Sequence, residues 1–192
     1  SEIQEILADF NGFHTPATQE HFGGLAIFIK KSFTINKIEN IILSGELNAT
    51  DDEENENYFA MGRNLQKLEF NYNGKIFTVL NFHGMWVVKG KIDTDRRVKQ
   101  SEKIKKIFDA SNGAKILCAD LNIEPGTKSL AILTKGNREL VQESGITSTR
   151  SSLKNRLEIV DYVIVSPEVE VIDFKVLPDQ VSDHLPLSLK FK

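Results

Sequence analysis

The dipeptide Asn73-Gly74, set between LQKLEFNY and KIFTVLNF, constrains this chain more than any other feature. A two-residue connection between strands needs left-handed backbone at both central positions, and Asn and Gly tolerate that best. The flanking runs are rich in Phe, Leu, Ile, Val and Tyr, so the segment reads as a β-hairpin. Gly24 to Lys31 reads as a buried strand, and Ile35 to Leu43 as another. Ile116 to Ala119, Leu157 to Val165, Val169 to Val176 and the alternating Leu185 to Phe191 complete the set. Helical spacing of Ile3, Ile6, Leu7 and Phe10 predicts a short amphipathic helix over Ser1 to Ala8. A longer helix is expected over Asp93 to Ala110 and a short one over Thr127 to Leu133. Strands outnumber helices and several are joined by hairpins. That favours a mixed, largely antiparallel α/β arrangement of the α+β type over a doubly wound parallel sheet.

The length of 192 residues fits a single domain over 1–192. With 24 basic against 27 acidic residues, the chain lacks the excess of cations that sustained contact with a nucleic-acid backbone requires. An enzyme that grips a few phosphates is not excluded by that balance. The lone Cys118 rules out an intramolecular disulfide and a multi-cysteine zinc site, and its apolar neighbours mark it as a core thiol. No apolar run approaches the roughly 20 residues of a membrane span. The opening SEIQEILADF lacks the basic and apolar regions of a signal peptide, so the expected location is cytoplasmic. Asp51 to Asn57 reads as a solvated acidic loop.

Polar residues gather where strands end. Ile76 to Phe82 runs into His83-Gly84, and Ile116 to Ala119 into Asp120-Leu121-Asn122 followed by Pro125-Gly126. Near the C-terminus a loop carries Ser182-Asp183-His184-Leu185-Pro186. Such positions combine a rigid base with access to solvent, although Asp, Asn, Pro and Gly are turn formers too. Asp120 and Asn122, one residue apart, share a side if the segment is extended. One offers a carboxylate to hold water, the other an amide for developing negative charge. Asp183 and His184 adjoin and are expected to point to opposite sides, Asp183 toward a metal and His184 toward a phosphate. Asp161, after RLEIV, can accept the other imidazole proton and fix its tautomer.

Taken in order, FTVLNFHG, ILCADLNIEPGTKSL, RLEIVDYVIVS and SDHLPL resemble the endonuclease/exonuclease/phosphatase superfamily, relatives of pancreatic deoxyribonuclease and of exonuclease III-type repair enzymes. GGLAIFIKKS resembles the strand that precedes them, so the likeness covers the chain from about Gly23 onward. The resemblance implies a four-layer sandwich of two packed mixed β-sheets flanked by helices. It also implies hydrolysis of a phosphodiester or phosphomonoester with Mg²⁺ or Mn²⁺, ions that prefer oxygen ligands. In that reading Asp120 positions the attacking water, Asn122 holds a phosphate oxygen, and Asp161 orients His184. His184 stabilises the transition state, His83 touches the phosphate from the other side, and Asp183 binds the metal. Arg97 and Gln100 match a recurring Arg-x-x-Gln that contacts substrate; the alternative is a solvated helix face with a sheet-edge contact. The substrate stays open between nucleic acid and a small molecule or lipid headgroup, and oligomeric state is unassigned.

One departure stands out. The family begins with an Asn-bearing strand and a second ending in a metal-binding Gln-Glu. No such strand precedes GGLAIF, and Gln4-Glu5 falls inside the expected helix, with Glu5 on its solvated side. The expectation is therefore a domain incomplete at its N-terminus, and a catalytically impaired binding or scaffold domain of the same fold is the alternative function.

Overall fold

The computed structural model describes residues 2–16, 24–43, 64–87, 90–154 and 156–192. The acidic run 51–57 lies outside the described residues. In chain order the elements are α1 (Glu2–Ile6), β1 (Phe10–Pro16), β2 (Gly24–Lys30), β3 (Thr34–Ile42), β4 (Asn64–Tyr72) and β5 (Lys75–His83). Then come α2 (Asp95–Asp109), β6 (Ala114–Asp120), α3 (Lys128–Thr134), β7 (Arg138–Glu139) and α4 (Leu140–Glu143). The chain closes with β8 (Asp161–Val165), β9 (Val171–Val176) and β10 (Leu187–Phe191).

A six-stranded mixed sheet in the order β3-β4-β5-β6-β8-β7 organises the molecule, and two antiparallel pairs, β1-β2 and β9-β10, form the second β layer. The β4–β5 hairpin turns at Asn73 (φ 50°) and Gly74 (φ 77°), the left-handed pair that its sequence demands. From β5 the chain crosses through α2 and returns as β6, parallel to β5, while β6 and β8 run antiparallel. This one helical crossover puts the ends of β5 and β6 side by side.

Alternation along the strands divides the core in two. Leu80, Phe82, Leu117, Ala119, Tyr162 and Ile164 face α2 and α3, where Ile104, Phe108, Leu130 and Leu133 meet them. Phe70, Phe77, Ile116, Val163 and Val165 face the other way, toward Ile29 and the partly buried Phe13, Leu189 and Phe191 of the two strand pairs. Phe77 bridges layers, stacking on Phe70 at 5.7 Å and meeting Phe191 edge-on at 5.3 Å. Each such buried aromatic contributes roughly 1.5–3 kcal/mol of transfer free energy. Between β2 and β10 an apolar trough of ≈ 730 Å³ is lined by Ile27, Ile29, Phe33, Phe70, Leu189 and Phe191.

The long helix begins at the N-cap Thr94, whose hydroxyl accepts from the Arg97 N–H. Asp93, expected with Thr94 at the start of that helix, instead accepts from the Lys128 and Ser129 N–H groups at the start of α3 (2.7 and 2.9 Å). It thereby ties the two helices together.

Several expectations need correction. β2 is only partly buried, with Ile29 its one fully buried residue, because a two-stranded sheet leaves edges and a face to solvent. Leu157 is exposed and the strand there begins only at Asp161. The first helix forms, but Ile3 and Ile6 are exposed and Phe10 belongs to β1. β1 escaped the sequence reading because Asn11, Gly12 and Pro16 are poor strand formers. Gly12 is there for clearance: a Cβ would lie 2.7 Å from the Phe28 ring.

Candidate active site

Register builds the first part of the site. His83 pairs across with Asp120, and Asp120 with Asp161, so three functional side chains stand in one row at the ends of β5, β6 and β8. Gly84 keeps the row tight. Its N–H donates to the Asp120 carbonyl at 2.6 Å, and a Cβ at Gly84 would sit 2.4 Å from the Leu121 carbonyl oxygen. Only glycine permits that approach.

A second part is carried on loops. Residues 148–151 lie between the approach to β8 and the 182–185 segment. The Thr149 N–H donates to Glu158 O (2.8 Å), and Thr149 O accepts from Leu185 N–H (2.8 Å). The Thr149 hydroxyl accepts from the N–H groups of Val160 and Asp161 (3.2 and 3.3 Å). Ser151 donates its N–H to Asp183 O and its hydroxyl to Ser182 O. An isolated antiparallel bridge joins Arg150 to His184. These bonds bring His184 over the strand row.

The imidazole Nδ1 of His184 meets both carboxylate oxygens of Asp161, at 2.8 and 2.9 Å. Its Nε2 lies 3.7 Å from Asp120 Oδ2, which is 3.6 Å from His83 Nε2 on the other side. The hydrogen bond to Asp161 raises the His184 pKa above its ordinary value, against the opposing effect of burial. Burial, then the nearby Asp161 charge, push Asp120 upward; His83, His184 and the Asn122 N–H partly offset them. One donor atom each from Asp120, Asp161 and His184 lie within 4.8 Å of one another, a cluster able to coordinate a metal ion.

Other expected site residues are placed differently. Asn122 is buried and left-handed (φ 54°), so the segment is not extended and the same-side argument fails. Its N–H donates to Asp120 Oδ1 (2.9 Å), its amide to Gly84 O (3.2 Å), and its Oδ1 accepts from the Lys91 ammonium. Asp183 stands outside the Asp/Asp/His cluster and pairs with Arg150 (3.1 Å) and Lys154 (3.5 Å). Burial opposes its charge, but His184, Arg150 and Lys154 outweigh that and hold the carboxyl below its usual range. The expected opposition of Asp183 and His184 also fails. One guanidinium nitrogen of Arg150 touches both, because residues 181–183 form a bend and His184 only an isolated bridge rather than a strand.

Arg97 is 2% exposed and donates to the carbonyls of Met85, Gly90 and Ile92. Neither a solvated helix face nor an open substrate contact describes it. It braces the 85–92 loop beside the site, and Gln100, one turn on, is buried as well. Glu5 is exposed on α1, outside the cluster.

Two residues were missed by sequence reasoning. Lys91 reaches Asn122 from the braced loop, and burial lowers its pKa despite the attraction of Asp120. Arg150 lies in TSTRSS, which has no strand-end or motif signal. Both arrive through tertiary hydrogen bonds that leave no periodic trace.

Comparison with known proteins fits this geometry. The model of the Endonuclease/Exonuclease/phosphatase family matches residues 2–184, a span that contains Glu5. No curated protein matches the sequence. Among solved structures, the chain is similar to a mannosyl-6-phosphatase of Bacteroides thetaiotaomicron (19% identity, TM-score 0.72), covering 100% of this chain and 80% of that one. It is similar to a functionally unknown conserved protein of Enterococcus faecalis (19%, TM-score 0.74; 100% and 81% covered). It is also similar to D. rerio TDP2 complexed with a single-strand DNA product (14%, TM-score 0.74; 100% and 80% covered). At these identities the likeness concerns the fold. No helix among the described residues is long and apolar enough to cross a membrane.

Proposed function

The chain belongs to the endonuclease/exonuclease/phosphatase family, and from that premise we propose that it hydrolyses phosphoester bonds with a divalent cation, Mg²⁺ or Mn²⁺. The observation that carries this reading is the row His83–Asp120–Asp161 with His184 set against both carboxylates. The donor chemistry fits a cation: two carboxylates and one imidazole suit an oxygen-preferring ion, Mn²⁺ accepting the nitrogen more readily. When bound, the cation would supply positive charge to the phosphoryl oxygens, with the carboxylates of Asp120 and Asp161 as its ligands and His184 left to face the phosphate. Asp183 would join them only by leaving Arg150 and Lys154.

Asp120 is the residue to hold and deprotonate the attacking water. Its raised pKa moves it toward the range where a carboxylate accepts a proton well. Asp161 accepts from Nδ1–H and favours the imidazolium, so that the Nε2–H of His184 can donate to the phosphate. His83 approaches from the far side of Asp120. Asn122, pinned by Gly84 and Lys91, holds the Asp120 carboxylate in place through its N–H and lies within the same polar group. The similar structures, a mannosyl-6-phosphatase and a TDP2 bound to a single-strand DNA product, support a sugar phosphate and a nucleic-acid ester equally. A second reading, a phosphate-binding domain without turnover, is favoured by one observation: Asp183 is engaged by two cations.

The test is hydrolysis of p-nitrophenyl phosphate and bis-p-nitrophenyl phosphate with Mg²⁺ or Mn²⁺, with and without chelator. Chelator-sensitive release of nitrophenol from either ester is expected. Failure on both, with the protein folded and metal present, removes the hydrolytic reading.

A further inference from the structure

The segment 148–151 presents a group to the site that the strand row does not explain. The Arg150 side chain is 8% exposed, and its Nη1 donates to Asp183 Oδ2 at 3.1 Å. The same nitrogen contacts Nε2 of His184. Its Nε is buried without a hydrogen-bond partner, since Glu158 Oε2, at 3.9 Å, is too far to accept.

This arrangement is incomplete as it stands. A guanidinium is always charged and only donates. It meets Nε2 of His184 directly, while Asp161 occupies the other imidazole nitrogen, so Arg150 and His184 point at one spot at the mouth of the row. Burying a charged donor without a partner costs free energy that a native site normally recovers through a ligand or a further contact. An anion with several oxygens at the mouth of the row would accept from Nη1 and from Nε2 together. It would replace the direct contact of guanidinium and imidazole with bonds from both to one ligand.

We propose that Arg150 is a phosphate-binding residue of this site, held beside His184 by Asp183 and released to the non-bridging oxygens of a phosphoryl group. The inference rests on the phosphoester reading above but assigns a contact which that reading does not contain. Arg150 and His184 then grip the phosphate from the loop side, while His83 and Asp120 approach from the sheet. Asp183 acts as a counter-ion that keeps the guanidinium in place when no substrate is bound.

The experiment is a ³¹P NMR and calorimetric titration of the full chain with inorganic phosphate, with chelator present so that no metal contributes. Wild type is compared with Arg150→Met, Arg150→Lys and, as a distant control, Arg138→Met. Charge-assisted contacts of this kind are worth about a tenfold to hundredfold change in affinity. Arg150→Met is expected to weaken phosphate binding by at least tenfold, and Arg138→Met to leave it unchanged. Arg150→Lys keeps the charge but not the fork, and should fall between them. If Arg150→Met does not fold, as judged by near-ultraviolet circular dichroism, Arg150→Lys decides the matter. Wild-type affinity in the folded variant overturns the proposal, and so does an absence of phosphate binding by wild type. Loss of phosphate binding in Arg150→Met alongside a wild type that hydrolyses neither nitrophenyl ester keeps Arg150 and removes the catalytic reading. Unchanged binding with active wild type does the reverse.

Discussion

The two halves of the candidate site are built by different means. His83, Asp120 and Asp161 take their places from β-sheet register, on strands whose apolar residues are buried in two core layers. His184, Arg150 and Asp183 take theirs from a web of loop hydrogen bonds centred on Thr149 and Ser151. In the first half position follows from backbone pairing, so a side chain can be changed with little disturbance to its neighbours. In the second, loop backbone and side chains hold one another, and removing one releases others. Substitutions in the row should therefore alter chemistry at constant fold, whereas those in the web should alter chemistry and geometry together.

The sharpest break of this comparison is Asp120→Asn. Its amide cannot take the water's proton, and turnover on the better nitrophenyl ester is expected to fall about 10²–10⁴-fold. Stability should move the other way. The folded-state pKa of Asp120 is raised, chiefly by burial and then by Asp161. The unfolded chain therefore ionises more readily, and stability declines as pH rises from the unfolded pKa toward the folded one. At neutral pH the amide escapes that penalty, and melting temperature is expected to rise by a few degrees (roughly 2–4 °C per kcal/mol recovered). A variant both inactive and less stable would place Asp120 among the structural residues.

Next in size is Asp161→Asn. Losing the carboxylate behind His184 is expected to lower turnover about 10–100-fold, the usual cost of removing such an orienting partner. The His184 pKa, raised mainly by its hydrogen bond to Asp161, should fall toward its ordinary value when followed by NMR. The sign follows from linkage. A histidine with a raised folded pKa stabilises the fold fully below the unfolded pKa, and that stabilisation is lost as pH rises through the folded pKa. In the variant this sloping region should flatten. An unchanged His184 titration would separate the pair.

Sequence carried the sheet half of the site well. The Asn73-Gly74 turn, the strand before Asp120 and the capped helix at Thr94 are local features, set by positive φ, apolar runs and side-chain capping. His83 and Asp120 were legible because strand ends can be read from where apolar runs stop, whereas Asp161 was read inside a strand from Leu157 that in fact begins at Asp161. Arg150 and Lys91 were not, because each lies in a polar loop and is selected by partners far along the chain. Arg97 was legible as a residue but not as a brace: nothing local says that a helix-borne arginine will turn to three carbonyls. The same holds for Asn122, whose left-handed backbone broke an argument that needed an extended strand.

Gly84→Ala probes the seam where the row meets the braced loop. The added Cβ would lie within 3 Å of three Leu121 backbone atoms, at 2.4, 2.7 and 2.9 Å, so the backbone must move. Overpacking of this kind costs about 1–3 kcal/mol. Because Gly84 bonds both the Asp120 carbonyl and the Asn122 amide, activity should fall with stability. Full activity with normal urea unfolding would show that the seam yields without cost.

The smallest effect is expected far from the site, at Arg138→Ala. Arg138 and Glu143 pair at 2.5 Å, but their side chains are 44% and 47% exposed, so water screens the attraction and two flexible side chains must be ordered to make it. Neither residue touches the strand row or the Thr149 web. The Arg138 backbone pairs with Val165 on β8, four residues beyond Asp161, and that pairing needs no arginine side chain. The variant should lose at most about 1 kcal/mol, with the loss shrinking further in high salt, and should keep wild-type turnover. The informative comparison is with Arg150, whose guanidinium is buried while that of Arg138 is open to solvent. If Arg138→Ala were as damaging as Arg150→Met, exposure would not be what separates the two arginines, and the division of the molecule into a register-built row and a bonded web would lose its physical basis.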